Sequence, residues 1–377
     1  MPPRNKPQPQ GRNAGQPEVQ RPVIPDPPPC TAPSPNLTTF YHLLFTQTPR
    51  VASTYDVSAL KGTGTPAGYD INEVKKNLDK ASPTPLYRCR GLGLIFAPDL
   101  LADLIETAEE HLRGIPVEWD NPAHRSLIAH IHPYITTAKL PPTIYSEKDS
   151  ERWVMDGLLQ PALLVLRHEQ GQQLCPPSTL PAETQRPHLS SAPNRGAFPI
   201  PDALLVKRGC KPAEEGFSMP LTVEVKVHTV CAYGEDDIFS SLQKEHSTYR
   251  PGALMWFNWP RTADHVTKVT DRIIVQVISQ MHAYKNNMCI LSWYKGTIFF
   301  LRRGTRYYLS PTYNNETAVL IAIYAWFAKA LELEWIKDVN FNHPLEEHMD
   351  HWDKKRMQNV EEAGLCIPTL FGDPAIR

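Results

Sequence analysis

Two short apolar runs, Ile200 to Val206 and Leu221 to Val227, flank a turn-rich segment that holds Gly209, Pro212, Gly216 and Pro220. Both runs have strand composition, and the turn between them allows a hairpin. Further on, Val266, Val269, Ile273, Val277, Met281 and Tyr284 recur at threes and fours, which predicts a helix over 262–286. Met288 to Ser292, Thr297 to Leu301 and Arg306 to Leu309 are separated by turns at Lys295-Gly296 and Gly304, the pattern of an antiparallel meander. Before the hairpin, Trp153, Val154, Leu158, Leu159 and Val165 mark the apolar face of a helix over 150–169, with Pro161 as a point of kinking. Leu101, Leu104, Ile105, Ala108 and Leu112 predict another over 98–113, stopped at Gly114. Val319, Ile323, Trp326, Phe327, Ala330 and Leu333 predict a last helix over 316–337 that covers a face of the sheet. Leu37 to Thr46 reads as a short helix, and the connection from Gln170 to Asn194 holds at most one short strand.

This order of elements predicts an α/β protein with a mixed central sheet flanked by helices. Twelve of the first 35 residues are proline, with Arg4, Lys6, Arg12 and Arg21 among them. Such a segment buries too little apolar surface to offset its ordering entropy, so residues 1–36 are expected to be a disordered tail. Residues 37–145 then form a mostly helical accessory region, 146–337 the main domain and 338–377 a C-terminal extension. The N-terminus lacks an apolar segment, and the longest apolar run, Ala318 to Ala328, is too short to cross a bilayer. The expectation is a soluble, intracellular chain with no membrane partner, its compartment and oligomeric state left open. Seven cysteines without a C-x-x-C pair argue against a disulfide framework or a zinc module.

Net charge of −1 rules out global attraction to nucleic acid, so any such affinity must come from local patches. Candidates are Lys207, Arg208 and Lys211, and Arg302, Arg303 and Arg306. Trp256, Phe257 and Trp259 have base-stacking chemistry, with packing as their default use. His124, His130 and His132, like His348 and His351, lack companions at ligand spacing and read as ordinary histidines.

The chemistry concentrates in the hairpin. Asp202 stands near the start of the first run, and Glu224 and Lys226 interrupt the second, where charge is costly unless paired, metal-bound or hydrated. Residues two apart on a strand share a face, so Glu224 and Lys226 project together, opposite Val223, Val225 and Val227. Paired as a hairpin, the runs bring Asp202 beside them. Two carboxylates suit Mg²⁺ or Mn²⁺, and an adjacent lysine can hold or help deprotonate a water, which is apparatus for phosphodiester hydrolysis. The plainer alternative is an ion pair on a wet strand face with Asp202 in a turn.

Pro201-Asp202 followed by Glu224-Val225-Lys226 resembles the signature of the PD-(D/E)XK nuclease superfamily, the restriction-endonuclease-like fold, including uncharacterised fungal members. Pro25-Asp26, Pro98-Asp99 and Glu73-Val74-Lys75 repeat its pieces outside apolar strand-like runs. The resemblance implies a core ordered helix, strand, strand, strand, helix, strand. It implies that Asp202 and Glu224 bind Mg²⁺ or Mn²⁺ with the Val225 carbonyl, and that Lys226 positions the attacking water. An acidic residue on the first core helix often joins such a site, and Glu151 is the candidate. Gln280 to Tyr284 looks like the Gln-x-x-x-Tyr element of RecB-type members, in which the glutamine faces the site; the link from His228 to Arg261 is longer than usual there. The implied activity is metal-dependent cleavage of nucleic acid, DNA before RNA. The alternatives are an inactive nuclease-like module that binds nucleic acid or protein, and an α/β protein of other topology.

Overall fold

The computed structural model describes residues 37–46, 48–49, 51, 92–135, 140–141, 143–144, 146–170, 187–191, 200–207, 219–227, 231–233, 236–237, 254–257, 269–303 and 306–342. In chain order these form α1 (Phe40–Leu44), β1 (Leu92–Phe96), α2 (Ala102–Arg113), α3 (Pro122–Ile135), α4 (Glu147–Val154), a π-helical turn (Met155–Leu159), α5 (Gln160–Glu169), β2 (His188–Ser190), β3 (Ala203–Val206) and β4 (Leu221–Val225). There follow β5 (Ala232–Tyr233), β6 (Asp236–Asp237), β7 (Leu254–Phe257), α6 (Val269–Ala283), β8 (Met288–Ser292), β9 (Thr297–Arg303), β10 (Arg306–Leu309) and α7 (Val319–Ala330). All belong to the unit Ser34–Arg377.

Eight strands make one mixed sheet in the order β2-β3-β4-β8-β9-β10-β1-β7, with β5 and β6 as a separate ribbon. β4 runs parallel to β8 and β10 parallel to β1, and the other neighbours are antiparallel. The hairpin and the meander therefore lie in the same sheet, joined where β4 meets β8. The chain is α/β, as the pattern predicts.

β3, β4, β8 and most of β9 are buried on both faces, and alternation sorts their residues. Leu221, Val223, Val225, Met288, Ile290, Phe299 and Leu301 pack into the main core with α7 and the α4–α5 helices. Their alternates, including Leu204, Thr222, Glu224, Cys289 and Leu291, are equally buried but lie outside that cluster, on the side where α6 packs against β4 and β8. α7 is apolar all round, as a helix enclosed by other elements must be, and only Lys329 of its twelve residues escapes full burial. It packs on α2 and α5.

Several elements depart from expectation. The region 37–145, expected to be mostly helical, contributes β1 to the central sheet between β10 and β7. Its apolar Leu94, Ile95 and Phe96 are buried, and the run is too short for periodicity to separate strand from helix. The helix expected from Ser150 begins at Glu147, because Ser146 Oγ accepts from the Asp149 N–H while Asp149 Oδ2 accepts from the Ser146 N–H. The run from Glu147 to Glu169 is irregular at Met155–Leu159, a π-turn, and Pro161 follows immediately at the second residue of α5. α7 stops at Ala330 rather than 337, with Glu332 in the left-handed region at φ 56°. The expected tail over 1–36 lies outside the described residues, as do Glu73, Arg208, Lys211, Trp259, His348 and His351. No helix among the described residues is long and apolar enough to cross a membrane.

Candidate active site

Register places the first pair of acids. β3 and β4 are antiparallel with Ala203 opposite Val223 and Leu204 opposite Thr222. One further step sets Asp202 opposite Glu224, and directly opposed residues share a face within about 5 Å at Cβ. Asp202 is fixed there because its Oδ2 accepts the Val225 backbone N–H at 2.6 Å. The Lys226 N–H bonds to the Ser292 carbonyl at 3.0 Å and carries the β4–β8 pairing one residue past the strand.

Glu224 is 1% exposed, and a carboxylate so enclosed needs donors. α6 supplies two. Gln276 and Gln280 are one turn apart and therefore stacked on one edge of the helix. Gln276 Nε2 donates to Glu224 Oε1 at 2.5 Å, and Gln280 Nε2 to Oε2 at 2.5 Å. Lys226 Nζ donates to the same Oε1 as Gln276 and lies 3.4 Å from Glu147 Oε1 on the first turn of α4. Gln280 Oε1 is buried with no hydrogen-bond partner among the described residues.

The electrostatics follow from this crowding. Burial, then the neighbouring Glu224, push the Asp202 carboxyl up to about 7, against the opposing pull of Lys226 and the Val225 N–H. Burial likewise raises Glu224 despite Lys226 and Gln280. Burial works to lower Lys226, but the charges of Glu224, Glu147 and Asp202 outweigh it and hold the ammonium more firmly protonated than usual. Glu151 pairs with Lys148 at 2.8 Å, and its charge also raises Asp202. With all groups ionised, Asp202, Glu224, Glu147 and Glu151 carry four negative charges against the two positive charges that Lys226 and Lys148 supply among the described residues.

Among the described residues, no three His, Cys, Asp or Glu side chains form a cluster able to hold a metal ion. Mg²⁺ does not need one, since it is commonly held by one or two carboxylates together with substrate phosphate and waters. Asp202 and Glu224 are an oxygen-only set of that size and each raises the other's cost of ionisation, so the residues present fit a hard divalent cation.

The structure thus brings together Asp202, Glu224, Lys226 and Gln280. Val225 joins them through its N–H. Glu151 acts on Asp202 through charge, while its hydrogen bond goes to Lys148. Two participants escaped the sequence reading as site residues, Gln276 and Glu147. Gln276 carried a signal, lying four residues before Gln280. For Glu147 the signal was Ser146-x-x-Asp149, which starts the helix early enough to place Glu147 and Glu151 on one face. Of the basic candidates, Lys207 is paired with Glu332. His124 accepts the Glu118 N–H at 3.0 Å and packs against Phe40 and His168, a structural use. No protein-family model matches the chain, and the searches of curated proteins and of solved structures likewise return no match.

Proposed function

We propose that this chain is a divalent-cation-dependent nuclease with a restriction-endonuclease-like core, hydrolysing phosphodiester bonds of DNA or RNA, with DNA as the first substrate to test. The observation that carries the reading is the convergence of buried Glu224 with half-buried Asp202 and Lys226, which flank strands β3 and β4. The order of elements supports it in part: α4–α5, β2, β3, β4, α6 and β8 come in the order helix, strand, strand, strand, helix, strand, with β5, β6 and β7 inserted between β4 and α6.

Asp202 and Glu224 would hold Mg²⁺ or Mn²⁺, which when bound acts as a Lewis acid on the phosphate and lowers the pKa of water. The protein's own groups set the rest. Gln276 and Gln280 hold the Glu224 carboxylate in one orientation. Lys226, whose ammonium the neighbouring carboxylates stabilise, would orient the attacking water and offset charge that builds on the phosphate. Water oxygen forms the new bond to phosphorus as the opposite P–O bond breaks; the water's proton goes to solvent, and the departing oxygen takes one up to leave as a hydroxyl.

Asp202→Asn, Glu224→Gln and Lys226→Met each abolish Mg²⁺-dependent cleavage of a DNA substrate while the far-ultraviolet circular dichroism stays unchanged. Cleavage retained by all three variants removes the catalytic reading. A second reading, an inactive module of the same core that binds nucleic acid or protein, is favoured by one observation: both oxygens of Glu224 already accept hydrogen bonds. Calorimetric titration with Mn²⁺ separates the two, because a scaffold has no use for the ion.

A further inference from the structure

The place taken by Lys226 raises a question about the same site, and the answer rests on the nuclease reading. Its ammonium contacts Glu224 Oε1, which also accepts Gln276 Nε2. An oxygen engaged by an ammonium and a carboxamide gives a divalent cation no free approach, and two cations on one oxygen repel. Occupancy at Glu224 Oε1 therefore requires the ammonium to withdraw. A lysine can do this without backbone movement, since its point charge rides on a flexible four-carbon stem.

Withdrawal needs an anionic destination, because Lys226 is largely enclosed, with 15% of its side chain exposed. Among the described residues, Glu147 is the other carboxylate recorded as an ion-pair partner of Lys226, at 3.4 Å. It is anchored at the first position of α4, beneath the Ser146–Asp149 capping box, on a helix that packs against β4. Glu151, on the same helix face, is occupied by Lys148.

We propose that Glu147 is the positioning residue for Lys226: it receives the ammonium when a divalent cation takes Glu224 Oε1 and keeps it beside the water to be activated. Glu147 then acts on cation binding through the lysine, and its effect disappears when the lysine is absent.

The test is a double-mutant cycle read by calorimetric Mn²⁺ titration of the full chain, with circular dichroism to establish folding. Glu147→Gln weakens Mn²⁺ binding about fivefold, the upper range for a half-exposed ion pair. Glu147→Asp recovers most of that. In a Lys226→Met background, or Lys226→Gln if the methionine variant unfolds, adding Glu147→Gln changes binding by less than about twofold. Glu151→Gln, which removes equal charge, gives the same loss with or without Lys226. An equal loss from Glu147→Gln in both backgrounds, or no loss in either, overturns the proposal while leaving the nuclease reading intact. A wild-type chain that binds no Mn²⁺ overturns both.

Discussion

Gln280 reaches from α6 to Glu224 on β4, its Nε2 donating to Oε2 at 2.5 Å, and neither side chain has more than 1% of its surface exposed. A helix and a strand 56 residues apart in sequence are thus joined by one buried hydrogen bond to a charged acceptor.

Removing that donor strands a buried carboxylate oxygen. Gln280→Leu should lower unfolding stability by about 1–3 kcal/mol, and Gln276→Leu by less because Gln276 is only partly buried. Gln280→Glu should be worse than leucine at neutral pH, since it sets a second carboxylate against Glu224. Urea denaturation measures all three. Equal stability of Gln280→Leu and the wild type would show that the bond contributes nothing.

Asp202 gives the metal-free protein a pH signature. Its carboxyl is raised from about 4 to about 7 by burial and Glu224, so the folded state binds the proton more tightly than the unfolded state. Stability from this group is complete below about pH 4 and is lost as the pH rises through 7. Glu224, also raised, adds in the same direction. Melting temperatures of wild type and Asp202→Asn should diverge between pH 4 and 8, the wild type losing ground. Added Mg²⁺ should recover the wild type at the upper end and leave the asparagine variant where it was. Parallel curves across the window would remove the assignment.

The β8–β9 turn has no room for a side chain at Gly296. A Cβ there would collide with the buried Trp293 indole and come within 2.8 Å of Thr312 Cγ2. Gly296→Ala should therefore destabilise by about 1–3 kcal/mol, the usual range for overpacking. Thermal unfolding tests this, and an unchanged melting temperature would mean that the turn re-forms freely.

Ser146 caps the helix that carries Glu147. Ser146→Ala should cost about 1 kcal/mol through loss of the capping box. It should also weaken Mn²⁺ binding slightly, by loosening the first turn of α4. Ser146→Asp, which can cap equally well, should preserve stability.

The site's principal residues were legible because their signal is local. Charge inside a strand-like run marks Asp202, Glu224 and Lys226, and period-two geometry turns the latter two to one face. Helical spacing also sets Gln276 four residues before Gln280 on one edge of α6, a signal that on its own did not mark Gln276 as a site residue. What stayed hidden depended on partners distant in sequence. β1 is five residues long, and only its pairing with β10 and β7 makes it a strand of this sheet. The place of Glu147 depended on knowing that α4 begins at a cap and packs on β4, so a residue ahead of the expected helix lies within reach of a lysine 79 positions later.

The π-turn at Met155–Leu159 sets the orientation of that acid. A π-turn carries one more residue than regular helix, and each residue turns a helix by about 100°. Excising one residue there, so that the helix ran regularly from 147 to 169, would spin the segment before it by that angle while α5 stayed packed under α7. Glu147 and Glu151 would then swing away from the mouth of the hairpin together. The irregular turn is thus a rotary offset, an insertion of one residue that reconciles the helix face required by the core with the face required by the acids.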